Sequence, residues 1–244
     1  MDIKFFCINL ENRLDRWENC QKQFEEQNIY VTRWNATPLP DNRRFGAWLS
    51  HREIIEKAKI HDWNCVGVFE DDIKFLTKNF AEECENALEQ LRNVDWHILY
   101  FGGLIWTWWS LQKKNSLKNL LQVNNFFEAH AVIYNKTFFD IYLDKHPSKY
   151  SSQVHELYLD NKYSAFDQWF AGSVQSKYPC YITNKILVGQ QDDFSNIENK
   201  IVARLGKSIY RFYIYKYLWT RISTFLEINW SRIKKFLKNV KNVR

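Results

Sequence analysis

Cysteine is scarce in this sequence, with five residues among 244 and no two of them close together. An odd number without close pairs fits neither a disulfide framework nor a zinc site, and it favours reduced thiols in a cytoplasmic protein. No apolar run reaches the roughly 18 residues that a membrane-spanning helix needs. The amino terminus lacks a basic region followed by an apolar core and a cleavage site, so we expect no secretory signal.

Internal repeats, low-complexity segments and the composition typical of disorder are also absent from the sequence. Instead, 45% of the residues are hydrophobic and 17% aromatic, which is ample for a packed core. At this length we expect one sizeable domain, or one domain with an appendage. The net charge of +6 is uneven, because residues 200–244 hold twelve Lys/Arg and a single acidic residue, Glu227.

The most informative stretch begins with a short apolar run, Cys65–Phe69, that is rich in β-branched and aromatic side chains and predicts a buried strand. Glu70, Asp71 and Asp72 follow at its carboxyl end, where open α/β sheets bind their ligands. Adjacent carboxylates repel one another unless a cation lies among them, and Mn²⁺ or Mg²⁺ links such carboxylates to phosphates. A solvated acidic turn that caps the next helix is the alternative.

A strand–turn–helix pattern opens the chain. Residues 3–8 are strand-like, and apolar residues at helical spacing predict a helix over residues 13–27. Asn9 and Arg13 then lie at the strand's carboxyl edge and the helix amino terminus, where a phosphate or a uracil fits. Arg13 and Arg16 share one face of that helix, and the alternative is that both are solvated.

Strands and helices alternate along most of the remaining chain up to residue 199, which indicates an α/β fold. We predict strands at residues 30–34, 65–69, 96–101, 130–134, 178–182 and 186–188. We predict helices at residues 46–60, 78–92, 136–143 and 165–170. Residues 104–125 show no regular pattern.

Several short motifs keep a characteristic order between residues 3 and 197. They are Ile8-Asn9-Leu10 with Arg13 and Arg16, then Gly46 to His51, Val68 to Asp72, and Gly189 to Ser195. Together they resemble glycosyltransferase family 25, the family of the lipooligosaccharide galactosyltransferases. The resemblance implies a GT-A-like nucleotide-sugar-binding fold over residues 1–199, a Rossmann-like mixed sheet flanked by helices. It also implies Mn²⁺ or Mg²⁺ as cofactor and a UDP-sugar as donor substrate.

The same resemblance implies roles for individual residues. The expected donor-binding residues are Asn9, Leu10, Arg13, Arg16, Ala36, Thr37, Ser50, His51, Glu70 and Asp71. The expected metal ligands are Asp72 and Glu70, with Gln190, Gln191, Asp193 or water as alternatives for a third. The residues expected beside the acceptor are Gly102, Gly103, His130, Asp167 and Gln190.

Asp167 has two interpretations. Glycosyl transfer to a hydroxyl in an inverting reaction needs a carboxylate that takes up the proton, and the resemblance places Asp167 beside the acceptor, with Glu70 as the second catalytic carboxylate. Aspartate is also a good helix N-cap, and Asp167 lies near the start of a predicted helix. The sequence leaves both interpretations open.

The sequence therefore predicts a metal-dependent hexosyltransferase that moves a sugar from a UDP-sugar to a glycan or glycolipid, in the synthesis of lipopolysaccharide or another surface glycan. A hydrolase with two carboxylates is the rival enzyme class. A transferase acting on modified DNA or on protein, and a non-catalytic module that binds glycan or nucleic acid, are further alternatives. The predicted location is cytoplasmic, with peripheral binding to the inner membrane face.

Residues 200–244 form a separate basic and aromatic segment in which apolar residues recur at helical spacing. An amphipathic helical appendage of this kind fits an anionic membrane surface, to which each nearby cation adds affinity. The alternatives are packing on the catalytic domain, packing against a second subunit in a homodimer, and contact with nucleic acid.

Overall fold

The computed structural model describes residues 3–39, 43–105, 111–114, 116–145, 166–191, 194–195 and 200–201. Asp193 and nearly all of the basic segment 200–244 lie outside the described residues. The predicted appendage and its membrane, subunit or nucleic-acid contacts therefore stay predictions from the sequence.

The predicted helices and strands begin and end close to their predicted positions, and several short strands that were not predicted occur between them. The helices are α1 (Leu14–Glu26), α2 (Arg43–Ile60), α3 (Phe80–Leu91), α4 (Lys136–Lys145) and α5 (Phe166–Trp169), which continues as a π-helix over Phe170–Val174. The strands are β1 (Lys4–Asn9), β2 (Val31–Asn35), β3 (Cys65–Glu70), β4 (Ile73–Phe75), β5 (Ile98–Tyr100), β6 (Leu104–Ile105), β7 (Leu111–Lys113), β8 (Leu120–Val123), β9 (Phe126–Phe127), β10 (Ala131–Asn135), β11 (Cys180–Thr183), β12 (Val188–Gln190), β13 (Phe194–Ser195) and β14 (Lys200–Ile201).

Eight of these strands form one mixed sheet in the order β2-β1-β3-β10-β5-β11-β8-β7. β1 pairs in parallel with β2 and β3, and β5 pairs in parallel with β11. β10 is antiparallel to both of its neighbours, and β8 is antiparallel to β11 and β7. The carboxyl ends of β1, β2 and β3 therefore meet at one edge, and the chain enters β10 at that same edge.

Both faces of the sheet are buried, because each central strand is apolar on both sides. Phe6 and Val68 belong to one hydrophobic cluster, together with side chains of α2, α4 and α5. Phe5 and Phe69 belong to a second cluster, together with side chains of α1 and α3. Successive side chains of a strand point to opposite faces, so a continuous apolar run places helices on both sides of the sheet.

Two glutamines of α1 attach the segment after β3 to this helix. The Gln23 amide donates to the Ile73 carbonyl at 3.1 Å and accepts from the Phe75 amide at 3.0 Å. Gln27 donates to the Thr77 carbonyl and accepts from the Phe80 amide, both at 2.9 Å. These contacts satisfy backbone groups of β4 and of the α3 amino terminus, and they fix the end of the acidic turn.

The structure confirms the predicted α/β class with a mixed sheet flanked by helices, an arrangement consistent with a GT-A-like fold. Within the described ranges, no helix combines the length and the apolar character that crossing a membrane requires. The five cysteines are free thiols, and four of them are buried.

Candidate functional site

The acidic turn lies where β3 ends. Glu70 is the last residue of β3, Asp71 and Asp72 form the turn, and β4 begins at Ile73. The Asp71 carboxylate is fully engaged, since Arg16 Nη1 donates to Oδ1 at 2.7 Å and Asn9 Nδ2 donates to Oδ2 at 2.6 Å. Asp71 therefore joins β1, α1 and β3, and its charge is compensated within the protein.

Asn9, predicted to bind the donor, is 1% exposed and forms the centre of a polar network. Its Oδ1 accepts from Arg33 Nε at 2.9 Å and from Arg33 Nη2 at 2.6 Å. Its Nδ2 also donates to the Arg13 carbonyl at 3.0 Å. These partners fix the amide so that it orients Asp71, while Arg13 pairs with Asp15 at 2.9 Å.

A cavity of about 660 Å³ opens beside the acidic turn. The ends of β1 and β2, the start of α2 and the turn itself supply its walls. The predicted donor and metal residues that line it are Leu10, Arg16, Ala36, Thr37, Ser50, His51, Glu70, Asp71 and Asp72. Of the predicted donor-binding residues, Asn9 and Arg13 lie outside this lining.

The part of the cavity wall that follows β2 is held on α2 by hydrogen bonds. The Ser50 hydroxyl accepts from the Thr37 amide and donates to the Gly46 carbonyl, both at 2.9 Å. Glu53 accepts from the Thr37 hydroxyl at 2.9 Å and from Trp34 Nε1 at 3.2 Å. Ser50 thus shapes the cavity by fixing the backbone after β2.

His51 is fully buried and contributes its ring to the cavity lining. Nδ1 lies 2.9 Å from the Tyr134 hydroxyl, and Nε2 forms no hydrogen bond with any of the described residues. Burial lowers the pKa of His51 to about 3, so the imidazole is neutral at physiological pH. His51 therefore places a neutral imidazole beside the cavity.

Glu70 and Asp72 both have raised pKa values in the cavity. The pKa of Glu70 is held well above its usual range, first by desolvation and then by the nearby carboxylates of Asp72, Asp71, Asp167 and Glu128. Desolvation and then Asp71 raise the pKa of Asp72 to about 6, against the opposing effect of Arg16. Since Arg16 is already paired with Asp71, a further cation would relieve this repulsion.

The donor set fits a hard divalent cation that shares its coordination with a ligand. No group of three or more metal-binding side chains occurs in the part of the chain that the structure describes. Mg²⁺ and Mn²⁺ are typically held by one or two carboxylates and complete their coordination with water and substrate phosphates. Asp72 and Glu70 meet that requirement, whereas both oxygens of Asp71 have protein donors.

Asp167 and Glu128 form a second acidic pair near the turn. Asp167 Oδ1 accepts from the amide of the next residue, Gln168, at 2.9 Å, and Oδ2 accepts from the Glu128 amide at 3.3 Å. Sequence reasoning missed Glu128. Its available signal was a lone acid in an otherwise apolar stretch that leads into β10.

The predicted acceptor residues divide into two groups. Gln190 Nε2 lies 3.5 Å from Asp72 Oδ1, so β12 brings it to the acidic turn. Gly102, Gly103 and His130 are buried. A Cβ atom at residue 102 would collide with the Val188 carbonyl, and this close approach requires glycine.

Taken together, the fold and the cavity define an α/β protein with a polar cleft at the carboxyl edge of its sheet. No protein-family model and no curated protein sequence matches the chain, so membership of family 25 stays a prediction. Among solved structures it resembles a glycosyltransferase involved in the glycosylation of the major capsid of PBCV-1, with 10% identity, a TM-score of 0.45, and coverage of 74% of this chain and 80% of that one. It also resembles A197 from STIV, with 12% identity, a TM-score of 0.43, and coverage of 82% and 92%. Both likenesses concern the fold.

Proposed function

We propose that this protein is a metal-dependent glycosyltransferase that moves a hexose from a UDP-sugar to a hydroxyl of a glycan or glycolipid, in the synthesis of lipopolysaccharide or another surface glycan. The observation that carries the proposal is the cavity of about 660 Å³ whose wall contains Glu70, Asp72 and Arg16. Its volume is in the range of pockets that enclose small molecules, and its position matches the ligand crevice of α/β sheets.

The two walls suit the two parts of a nucleotide sugar. The backbone of residues 35–39 and Leu10 provide the less charged wall, which we assign to the nucleoside. Asp72 and Glu70 provide the acidic wall, where they would hold Mn²⁺ or Mg²⁺ against the diphosphate. The bound cation would supply positive charge that stabilises the leaving diphosphate. Arg16 adds fixed positive charge at the same wall and keeps Asp71 from competing for the cation.

A carboxylate must also take the proton of the acceptor hydroxyl. Asp167, the residue predicted from the sequence, has each oxygen engaged by a backbone amide. This supports its interpretation as a residue that fixes the chain around it. The predicted membrane contact of residues 200–244 would bring a lipid-linked acceptor to the site, and sedimentation with anionic liposomes tests that part of the proposal.

Titration with UDP in the presence and absence of Mn²⁺ tests the proposed function. We expect Mn²⁺ to tighten UDP binding to the wild-type protein at least tenfold, and Asp72→Asn to remove this dependence while UDP alone binds as before. Asp140→Asn, which changes a carboxylate 67% exposed on α4, is the matched control and should behave as wild type. UDP binding that is absent, or that ignores Mn²⁺ in all three proteins, would contradict the proposal.

A further inference from the structure

Glu128 lies level with the acidic turn because of the register of the sheet. Ala131 pairs with Phe69 in the antiparallel ladder between β10 and β3. One residue further along, the Glu70 amide donates to the His130 carbonyl at 2.9 Å. The chain that enters β10 therefore passes alongside the turn, and Glu128 stands on the same edge of the sheet as the proposed metal ligands.

The backbone of Glu128 has a conformation that favours glycine. Its φ is +69°, in the left-handed region that long side chains rarely adopt. The amide of Glu128 donates to Asp167 Oδ2 at 3.3 Å, so the start of α5 helps to hold this conformation. Strained non-glycine residues of this kind persist where the surrounding structure fixes them, and they cluster at functional sites.

The Glu128 carboxyl lies in an environment that favours its protonated form. Although 35% of the side chain is exposed, desolvation by the surrounding protein, and then Asp167 and Asp72, raise the pKa of Glu128 to about 8. A base is most effective when its pKa is close to the working pH. This environment suits a group that accepts a proton from a bound hydroxyl and later releases it to solvent.

His130 offers a hydrogen-bond acceptor for protonated Glu128. His130 Nε2 lies 3.1 Å from the Val188 carbonyl, which only accepts hydrogen bonds, so Nε2 carries the hydrogen and Nδ1 is a bare acceptor. Nδ1 has no hydrogen bond within the described ranges and lies 3.7 Å from Glu128 Oε2. Once protonated, Glu128 can donate to this nitrogen.

We propose that Glu128 is the general base of the transfer reaction and that His130 stabilises its protonated form; this inference rests on the proposed function. In a single displacement, the acceptor O–H bond breaks and its proton passes to the Glu128 carboxylate. The acceptor oxygen bonds to the anomeric carbon of the sugar. The bond between that carbon and the phosphate oxygen breaks, and its electron pair leaves with UDP.

Release of UDP from UDP-galactose and UDP-glucose with Mn²⁺, with water as acceptor, tests the assignment. We expect Glu128→Gln and Glu128→Gly to lower turnover by about 10²-fold or more, the usual scale for loss of a base. Glu128→Gly should nevertheless raise the melting temperature by about 2–4 °C, because glycine adopts the left-handed conformation without strain. Sodium azide needs no deprotonation, so it should restore UDP release in both variants and yield a glycosyl azide.

Asn125 offers a matched control, since it also has a positive φ of 63° and lies just before β9. Asn125→Gly should raise the melting temperature in the same way and leave turnover unchanged. Turnover within a few-fold of wild type in the Glu128 variants, or a loss that azide does not restore, would overturn the assignment and leave the proposed function standing. Wild-type protein that releases no UDP from either donor would overturn both.

Discussion

Arg16 and Asp71 form an ion pair that is almost closed to solvent, with 2.7 Å between Nη1 and Oδ1 and side chains 10% and 12% exposed. The pair connects α1 to the end of β3. The electrostatic interaction with Asp71 raises the pKa of Arg16, against the opposing effect of desolvation, so the guanidinium stays charged. One carboxylate of the acidic turn is therefore engaged within the protein, while Glu70 and Asp72 line the cavity with raised pKa values.

Removal of Arg16 should therefore cost more than removal of an exposed ion pair. Arg16→Met leaves the Asp71 carboxylate buried beside Glu70 and Asp72, and we expect the free energy of unfolding to fall by about 3 kcal/mol. Lys59→Met disrupts the exposed pair with Asp140 and should leave the free energy of unfolding close to the wild-type value. Urea unfolding at low salt measures both values. Equal losses in the two variants would show that the buried pair does not hold the turn.

Asp167 should behave as a positioning residue. In Asp167→Asn the side-chain oxygen can still accept from the Gln168 amide. The side-chain NH2 group, however, only donates and cannot accept from the Glu128 amide. An unsatisfied buried donor costs roughly 1–3 kcal/mol, so the melting temperature should fall. Because Glu128 keeps its carboxylate, we expect turnover to fall only about tenfold. A loss of about 10²-fold that azide restores would identify Asp167 as the base.

The first half of the fold was accessible from the sequence because its signals are local. Apolar runs that end in polar residues predicted β1 and β3, and helical spacing predicted α1 between them. The reversed direction of β10 was not predictable in this way. Its sequence is as apolar as that of β3, and the pairing of the two strands is a tertiary choice. Residues 104–125 contain the short strands β6, β7 and β8, which carry too few residues for a periodic pattern.

The site was predictable to the extent that its residues follow strands. Glu70 and Asp72 were found from their position after an apolar run, and the structure places both in the cavity wall. The engagement of Asp71 by Arg16 and Asn9 depends on side-chain directions that spacing does not determine. Glu128 escaped notice because its residue type disfavours the positive φ that brings it into position.

Buried neutral histidines make stability depend on pH. Burial lowers the pKa of His51 to about 3 and that of His130 to about 4, whereas histidine in an unfolded chain has a pKa near 6.5. Below about pH 6.5 the unfolded chain takes up protons that the folded chain does not. Their contribution is therefore complete above that pH and is lost as the pH falls toward 3–4. Carboxyls with raised pKa, such as Glu128, act in the opposite direction as the pH rises from about 4.5 to 8.

These opposing effects overlap in pH. The test therefore compares how steeply the free energy of unfolding changes with pH in the wild type and in a variant that lacks one histidine. Each buried histidine contributes up to about 1.4 kcal/mol per pH unit, so His51→Gln should make the decline in unfolding free energy from pH 6 to pH 4 shallower by nearly that amount. The variant also loses the 2.9 Å contact with the Tyr134 hydroxyl and should be less stable at pH 7. Urea unfolding at each pH gives the values, and parallel slopes for wild type and His51→Gln would show that His51 takes up protons in the folded protein.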